Sequence, residues 1–139
     1  MKAELQNKLF EEFPSLFREK DLSPQKTCMC WGIDTGDGWY DLIHNTCEKL
    51  MKTEGAENFR FVQVKEKFGG LRLYTGAATD EQFDIINKAE EESYHTCEWC
   101  GSKENITTSG GWLITLCDDC RQKRDEGYRP WHKERESDE

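Results

Sequence analysis

The chain has 139 residues, 35% of them hydrophobic, and a formal net charge of −9. This length suits one ordinary domain with a modest core, to whose stability a bound metal would contribute. The charge is spread along the chain without a basic stripe, which argues against a general nucleic-acid binder but leaves room for a small local patch. It is better suited to binding a basic protein surface, or to simple solubility. No run of about 20 apolar residues is present to span a bilayer, and residues 1–10 lack a signal-peptide core, so we expect a cytoplasmic protein.

The first half of the chain predicts two helices. Residues 2–13 carry an apolar stripe that Pro14 ends. A second stripe follows a glycine- and aspartate-rich entry, and Asp37 is in position to cap that helix with its carboxylate. The second stripe places seven side chains on one face over three turns: Trp39, Leu42, Ile43, Thr46, Cys47, Leu50 and Met51.

The middle of the chain predicts a β-hairpin and a third helix. Residues 59–67 and 71–75 are rich in strand-forming side chains, and the glycine pair at 69–70 supplies the turn between them. Thr79 and Gln82 have the spacing of a capping box, which opens the third helix. Three side chains of that helix are expected to face inward: Phe83, Ile86 and Ala89.

The strongest signal is a pair of C-x-x-C sequences in the last third of the chain. Two residues between thiols allow a tight turn whose sulfurs converge on one ion at about 2.3 Å, and four thiolates fill the tetrahedral shell of zinc. A filled shell leaves no position for water or substrate, so we predict one structural, non-catalytic Zn²⁺ ion. Buried or redox-active thiols and an iron–sulfur cluster are the alternatives. The predicted ligands are Cys97, Cys100, Cys117 and Cys120.

The segments around these thiols predict a small module. Residues 106–116 favour strands on both sides of a glycine pair, so a hairpin should link the two thiol pairs, and residues 118–126 have helical composition. That order is typical of a treble-clef zinc module, and a zinc ribbon is the alternative. We therefore expect an α+β protein with a body of helices and a hairpin (1–96), a four-cysteine module packed on it (97–127) and a flexible charged tail (128–139). Six side chains are predicted to tie the parts into one core: Trp39, Phe61, Phe68, Leu71, Phe83 and Trp112.

Two further groups admit a metal-binding interpretation. Asp34, Asp37 and Asp41 resemble part of a cation site, but they lack the remaining oxygen ligands and the closing Glu of a calcium loop, so a helix cap and a solvated helix end are favoured. The other possibility is a second metal site that contains thiols. The competing interpretation is that Cys47 belongs to the apolar stripe of the second helix. That second group is Cys28, Cys30, His44 and Cys47.

The most basic local feature is the predicted hairpin turn with Lys65, Lys67 and Arg72. These cations suit either a phosphate contact or pairing with the acidic third helix, and the pairing is favoured. Glu66 would act as a base only inside a pocket. No histidine is placed with a nucleophile in a recognisable catalytic arrangement, so the sequence favours a protein that is not an enzyme.

Three segments resemble a family of small zinc-binding proteins, without an assigned activity, that bacteriophages, prophages and bacteria encode. They are residues 36–43 (GDGWYDLI), residues 64–72 (VKEKFGGLR) with Tyr74, and residues 96–101 (TCEWCG) with the downstream 110–112 and 116–117. The resemblance covers roughly residues 31–120 and implies that these segments form one unit with the zinc module. A phage context implies a protein in the host cytoplasm that is directed at a host protein, for example as an inhibitor of a bacterial defence enzyme.

The leading functional hypothesis is therefore a non-enzymatic binding protein whose acidic surface engages a host or phage protein. One alternative is a nucleic-acid-binding zinc regulator that uses the Lys65–Arg72 turn together with the zinc module. The other alternative is a metal-dependent hydrolase, which requires Asp34, Asp37 or His44 to hold an open second metal site.

Overall fold

The computed structural model describes residues 1–130, so residues 131–139 of the expected tail lie outside the described part. Within these described residues the α+β class is confirmed, with four helices and two small sheets. None of the helices within residues 1–130 has the length and apolar character needed to cross a bilayer. The elements in chain order are α1 (Ala3–Glu12), β1 (Ile33–Asp34), α2 (Tyr40–Met51), β2 (Phe61–Lys67), β3 (Gly70–Thr75), α3 (Asp80–Ser93), β4 (Ile106–Ser109), β5 (Ile114–Cys117) and α4 (Asp118–Asp125).

The first sheet has the strand order β1-β2-β3. The predicted hairpin is present, because β2 and β3 pair antiparallel with Lys65 opposite Arg72. The short strand β1 adds a parallel edge, in which Ile33 pairs with Val64. A strand of two residues is too short to show a periodicity in the sequence, so it was not predicted. Strands β4 and β5 form a separate antiparallel pair.

A group of aromatic rings fills the core of the body. Phe17 lies 5.1 Å from Phe61, and Phe59 lies 5.0 Å from Phe61, measured between ring centroids. All three side chains are fully buried, as is Trp39 at the entry to α2. Because an aromatic side chain buries a large area, these rings compensate for the low hydrophobic content of the chain.

Helix α2 follows the predicted stripe except at Met51, which is 44% exposed, and the cap of the helix also differs from the prediction. Ile43, Cys47 and Leu50 are fully buried. Asp37 does not cap this helix, since it begins the preceding 3₁₀ turn Asp37–Trp39 and its Oδ1 accepts the backbone N–H of Lys2 at 2.8 Å. The N-terminal flank of α2 has no side-chain cap, because that extra turn already continues the helical backbone.

The capping box of α3 is confirmed, whereas the prediction of the inward face of this helix was wrong by one residue. Gln82 N–H donates to Thr79 Oγ1 at 3.1 Å, and Thr79 N–H donates to Gln82 Oε1 at 2.9 Å. Phe83 is 45% exposed, and Gln82 is buried in its place, where its amide donates to Thr53 Oγ1 at 3.1 Å. The partner at Thr53 satisfies the amide, so a polar residue can occupy the core face. The buried face is Gln82, Ile86, Ala89 and Ser93.

The prediction of six core residues is correct for three of them and wrong for the other three. Trp39, Phe61 and Leu71 are buried. Phe68 is 66% exposed and Trp112 is 85% exposed, in addition to Phe83. Both Phe68 and Trp112 lie between paired strands, where the chain reverses at the surface and the side chain has solvent on most sides.

Candidate metal centre and adjoining cleft

The four cysteines of the C-x-x-C pairs lie together. Their Sγ atoms are all within 4.8 Å of one another, and Cys100 Sγ is 3.7 Å from Cys117 Sγ. A tetrahedral ion with sulfur ligands at about 2.3 Å holds those sulfurs about 3.8 Å apart, so the cluster has the size that one ion requires. The cluster can hold a single metal ion, and its members are Cys97, Cys100, Cys117 and Cys120.

Local backbone geometry aims each pair of sulfurs. The Cys100 N–H points at Cys97 Sγ at 3.5 Å, and the chain then reverses at Gly101, whose φ of 82° is left-handed. The second pair uses a helix start, since Cys117 ends β5 and its Sγ accepts the Cys120 N–H at 3.5 Å at the first turn of α4. The second thiol pair is thus followed by a helix and not by further strands.

The protonation of these thiols depends on burial and on nearby N–H groups. Burial raises the pKa of the Cys120 thiol, and the neighbouring Cys97 adds to that effect. For Cys97, burial opposes ionisation, but backbone N–H groups around its sulfur outweigh it and lower its pKa. A divalent ion would bind the four groups as thiolates and compensate their charge, so metal binding must release protons.

The GDGW segment packs directly on the first thiol pair. Gly38 N–H donates to Glu98 O at 2.8 Å, and Gly36 N–H donates to Glu98 Oε2 at 2.8 Å. The indole N–H of Trp39 donates to Thr96 O at 2.9 Å. Three hydrogen bonds therefore join the entry of α2 to the chain on either side of Cys97.

Glycine is required for this approach. A Cβ on Gly38 would lie 2.6 Å from Gly101 N and 2.7 Å from the carbonyl carbon of Glu98, and closer still to Cys97 O. All of these are backbone atoms, which cannot move aside by changing a rotamer. The short GDG sequence consequently serves as a docking surface for the metal-binding turn.

The turn between β2 and β3 makes the second contact with the module. Thr115 Oγ1 donates to Gly69 O at 2.6 Å and lies 2.6 Å from Thr108 Oγ1. The backbone of Thr115 also accepts the Glu98 N–H at 3.0 Å. The three segments that carry the family resemblance thus meet at the four-cysteine module.

A cleft of about 340 Å³ opens where these segments meet. Its carboxylates come from three parts of the chain and are Asp34 and Asp37, Glu66, and Glu98. Two positive groups face them: Lys2, whose ammonium is 3.9 Å from Asp37 Oδ2, and the α-ammonium of Met1, which donates to Ile33 O and Thr35 O. The exposed indole of Trp112 forms part of the wall.

Glu98 is the most enclosed of these acids, at 8% exposure. Burial, with a smaller contribution from the charge of Glu66, raises its pKa to about 7, although the Gly36 N–H and the α-ammonium of Met1 favour the carboxylate. Glu66 itself is held in the turn, since its Oε2 accepts the Gly69 N–H at 2.7 Å. Glu66 thus lies in a pocket, as a base would require, while its Oε2 stabilises the turn.

The other candidate metal ligands do not converge. Cys47 is buried in the apolar core, where burial raises the pKa of its thiol, while Cys28 is exposed. His44 lies between Glu12, at 2.9 Å, and Glu48, at 3.3 Å. Across residues 1–130 the four module cysteines are the one group of three or more Cys, His, Asp or Glu side chains close enough to share an ion.

Within residues 1–130 the two lysines of the hairpin turn interact with aromatic rings and not with α3, whereas the charge of Glu90 on α3 contributes to the raised pKa of Arg72, so the favoured interpretation holds only for Arg72. Lys65 lies over the ring of Tyr74 at 5.7 Å, and Lys67 over that of Phe68 at 5.5 Å. Arg72 donates to the hydroxyl of Tyr94 at 3.1 Å, just past the end of α3, and this hydrogen bond raises the pKa of the guanidinium. Each lysine thus has an aromatic face as its neighbour, which attracts the ammonium through the ring quadrupole.

Sequence reasoning did not find the joint role of Gly36, Gly38 and Glu98. The signal was available in part, because Glu98 stands between two ligands and the glycines flank Asp37. The contact between them spans about 60 residues of sequence, so its existence depended on the fold. The chain matches no family model, and no curated protein or solved structure shows significant similarity to it.

Proposed function

We propose that this chain is a zinc-stabilised, non-enzymatic protein that binds a basic surface of a partner protein. The observation that carries the proposal is the pair of exposed aromatic side chains, Phe68 and Trp112, on the two turns beside the acidic cleft. Large exposed apolar side chains next to a concave polar site are typical of protein-binding surfaces.

Zinc is the ion that the thiol cluster suits best. Four cysteine sulfurs at tetrahedral spacing select zinc, or iron in its place, over the hard cations that prefer oxygen. With four protein ligands the shell is closed, so the metal stabilises the module and does not activate water. The order of thiol pair, hairpin, thiol pair and helix supports a treble-clef assignment for the module.

The two aromatic side chains stand on neighbouring turns, which together we call the aromatic edge. A Cβ on Gly69, next to Phe68, would be in ordinary van der Waals contact, at 3.7 Å, with the carbonyl carbon of Leu113, the neighbour of Trp112. Phe68 has a φ of 54°, which is unfavourable for a residue with a bulky side chain. The fold tolerates this strain while leaving the ring exposed, and tryptophan and other aromatic residues dominate binding energy at protein interfaces.

The charge of the partner follows from complementarity. The chain carries a net charge of −9, and the cleft beside the aromatic edge has four carboxylates against the two ammonium groups of Met1 and Lys2. Such a surface attracts a basic partner and repels acidic ones, nucleic acids among them. A host protein, as the phage resemblance implies, is the partner that we propose, and inhibition of a defence enzyme is one form that this binding would take.

Affinity capture with matched variants tests the proposal. The zinc-loaded full chain is immobilised, exposed to nuclease-treated host-cell lysate, and compared with Trp112→Ala and with Trp31→Ala, whose side chain is 70% exposed away from the cleft. We expect a specific protein that wild type and Trp31→Ala retain and that Trp112→Ala retains about 30-fold more weakly, as for an interface hot spot. Equal retention by both variants would refute the assignment of this edge.

Nucleic-acid binding is the second candidate, and one observation favours it. Lys65 and Arg72 are direct cross-strand partners, so their side chains lie on one face of the hairpin together with Lys67. Salt-dependent retention on DNA or RNA that is lost when all three are changed to Ala would support this function. Absence of retention at low salt would exclude it.

A further inference from the structure

The acidic cleft has more specific chemistry than a negative surface. Its most enclosed acid, Glu98, is 8% exposed, and in the described part of the chain only its Oε2 accepts a hydrogen bond, from Gly36 N–H. The other carboxylate oxygen, Oε1, is left to pair with a donor from outside. Among the described residues Oε1 is not one of the buried side-chain atoms that lack a partner, so this oxygen keeps contact with solvent at the cleft and a ligand's donor can reach it.

The carboxylates of the cleft do not favour a divalent metal as that ligand. No three acids of the cleft are close enough to share an ion within residues 1–130, where the four cysteines form the one such group. A metal ion is a point charge that needs its oxygen ligands at about 2.0 to 2.6 Å. Carboxylates that do not converge on one point instead suit a cation whose charge is spread over several atoms.

An arginine side chain has that form. Its guanidinium is planar, carries five N–H donors in a fixed fork, and stacks on aromatic faces, whereas lysine presents a compact and strongly hydrated ammonium. The indole of Trp112, 85% exposed, provides a face for stacking at the wall of the cleft. The volume of about 340 Å³ is at the small end of the range for ligand pockets, in keeping with a single side chain.

We propose that the cleft between the GDGW segment, the β2–β3 turn and the β4–β5 loop receives an arginine side chain of the basic partner protein. The guanidinium contacts the carboxylates of Asp34 and Glu98 and lies against Trp112. This inference rests on the proposed protein-binding function and adds the identity of the residue recognised.

Short peptides test the recognition directly. The probe is an acetylated and amidated Gly-Gly-Arg-Gly-Gly peptide, and its matched controls carry lysine or the neutral isostere citrulline in the central position. Each peptide is titrated into the zinc-loaded full chain, and the indole N–H of Trp112 and the N–H of Gly36 are followed by NMR. We expect the arginine peptide to shift both signals with an affinity about tenfold above that for the citrulline peptide. Equal binding of arginine and citrulline, or of arginine and lysine, would overturn the proposal.

Variants assign the binding to the cleft. Asp34→Asn and Trp112→Ala should each weaken the arginine peptide about fivefold or more. The controls Glu91→Gln, on the exposed face of α3, and Trp31→Ala should leave its affinity unchanged. Loss of affinity in the controls, or its persistence in the cleft variants, would contradict the site.

The capture experiment separates this inference from the function on which it rests. If a partner protein is retained by wild type and by Asp34→Asn but lost with Trp112→Ala, the protein-binding function stands and arginine recognition fails. If Asp34→Asn also loses the partner, while Glu91→Gln retains it, both are supported. If wild type retains no partner, the proposed function fails whatever the peptides show.

Discussion

Gly38→Ala is the substitution whose outcome depends most directly on the contact between body and metal module. The added Cβ would lie 2.6 Å from Gly101 N and 2.7 Å from the Glu98 carbonyl carbon, well inside van der Waals contact with backbone. The two segments must therefore separate, and the hydrogen bonds from Gly36, Gly38 and Trp39 to residues 96 and 98 must lengthen together.

The expected cost follows from those three hydrogen bonds. Each contributes about 1 kcal/mol net, which gives about 3 kcal/mol for the set. Removing a glycine from the unfolded chain returns about 0.4 to 1 kcal/mol. The net loss of unfolding free energy should then be about 2 kcal/mol, a large part of the stability of a domain of this size but compatible with a folded variant.

Denaturant unfolding of the zinc-loaded protein, followed by circular dichroism, measures this loss. The matched control is Gly111→Ala, since a Cβ there has nothing within 4 Å, and its stability should equal or slightly exceed that of wild type. If Gly38→Ala were as stable as Gly111→Ala, the module would not be docked on the GDGW segment and our reasoning would be refuted.

Three other predictions concern the module. Cys117→Ser removes a ligand and the sulfur that caps α4, so this variant should lose its metal to a chelator that leaves the wild type loaded. The control Cys28→Ser, at an exposed thiol, should keep its metal. A chromogenic metal indicator measures the metal released by each protein. The apparent zinc affinity in competition titrations should fall from about pH 8 to pH 6, because burial raises the pKa of Cys120 and protons then compete with the ion; a constant affinity would contradict this. Thr115→Val deletes the hydrogen bond to the β2–β3 turn and should lower the unfolding free energy by about 1 to 3 kcal/mol, whereas the exposed Thr107→Val should change it by less than about 0.5 kcal/mol in the same denaturation assay.

Features set by near neighbours in sequence were predictable. The C-x-x-C spacing brings two sulfurs together within one turn, and the capping box of α3 joins Thr79 to Gln82 across three residues. The apolar stripe of α2 and the hairpin of β2 and β3 likewise follow from short-range periodicity. In each case the atoms that interact are held close by the local backbone, so the pattern of residue types is sufficient.

Which side chains are exposed near the ends of helices and strands depended on the fold. The sequence ranks Phe83 as a core residue and Gln82 as a surface residue, yet their positions are exchanged because Thr53 supplies a partner for the amide. Phe68 and Trp112 are apolar enough for the core but stand on turns that the body does not cover. Hydrophobicity determines how much free energy a side chain gains by burial, but only packing decides whether a neighbour is there to bury it.

The sequence by itself determined that four thiols converge and that the chain is α+β, because both depend on short-range spacing. Only the tertiary structure decided what surrounds the thiols. The cleft joins Asp34, Glu66, Glu98 and Trp112, which lie on four separate segments. Their proximity results from glycines that let backbones approach and from hydrogen bonds across about 60 residues of chain. Long-range contacts of this kind leave no periodic trace in a single sequence.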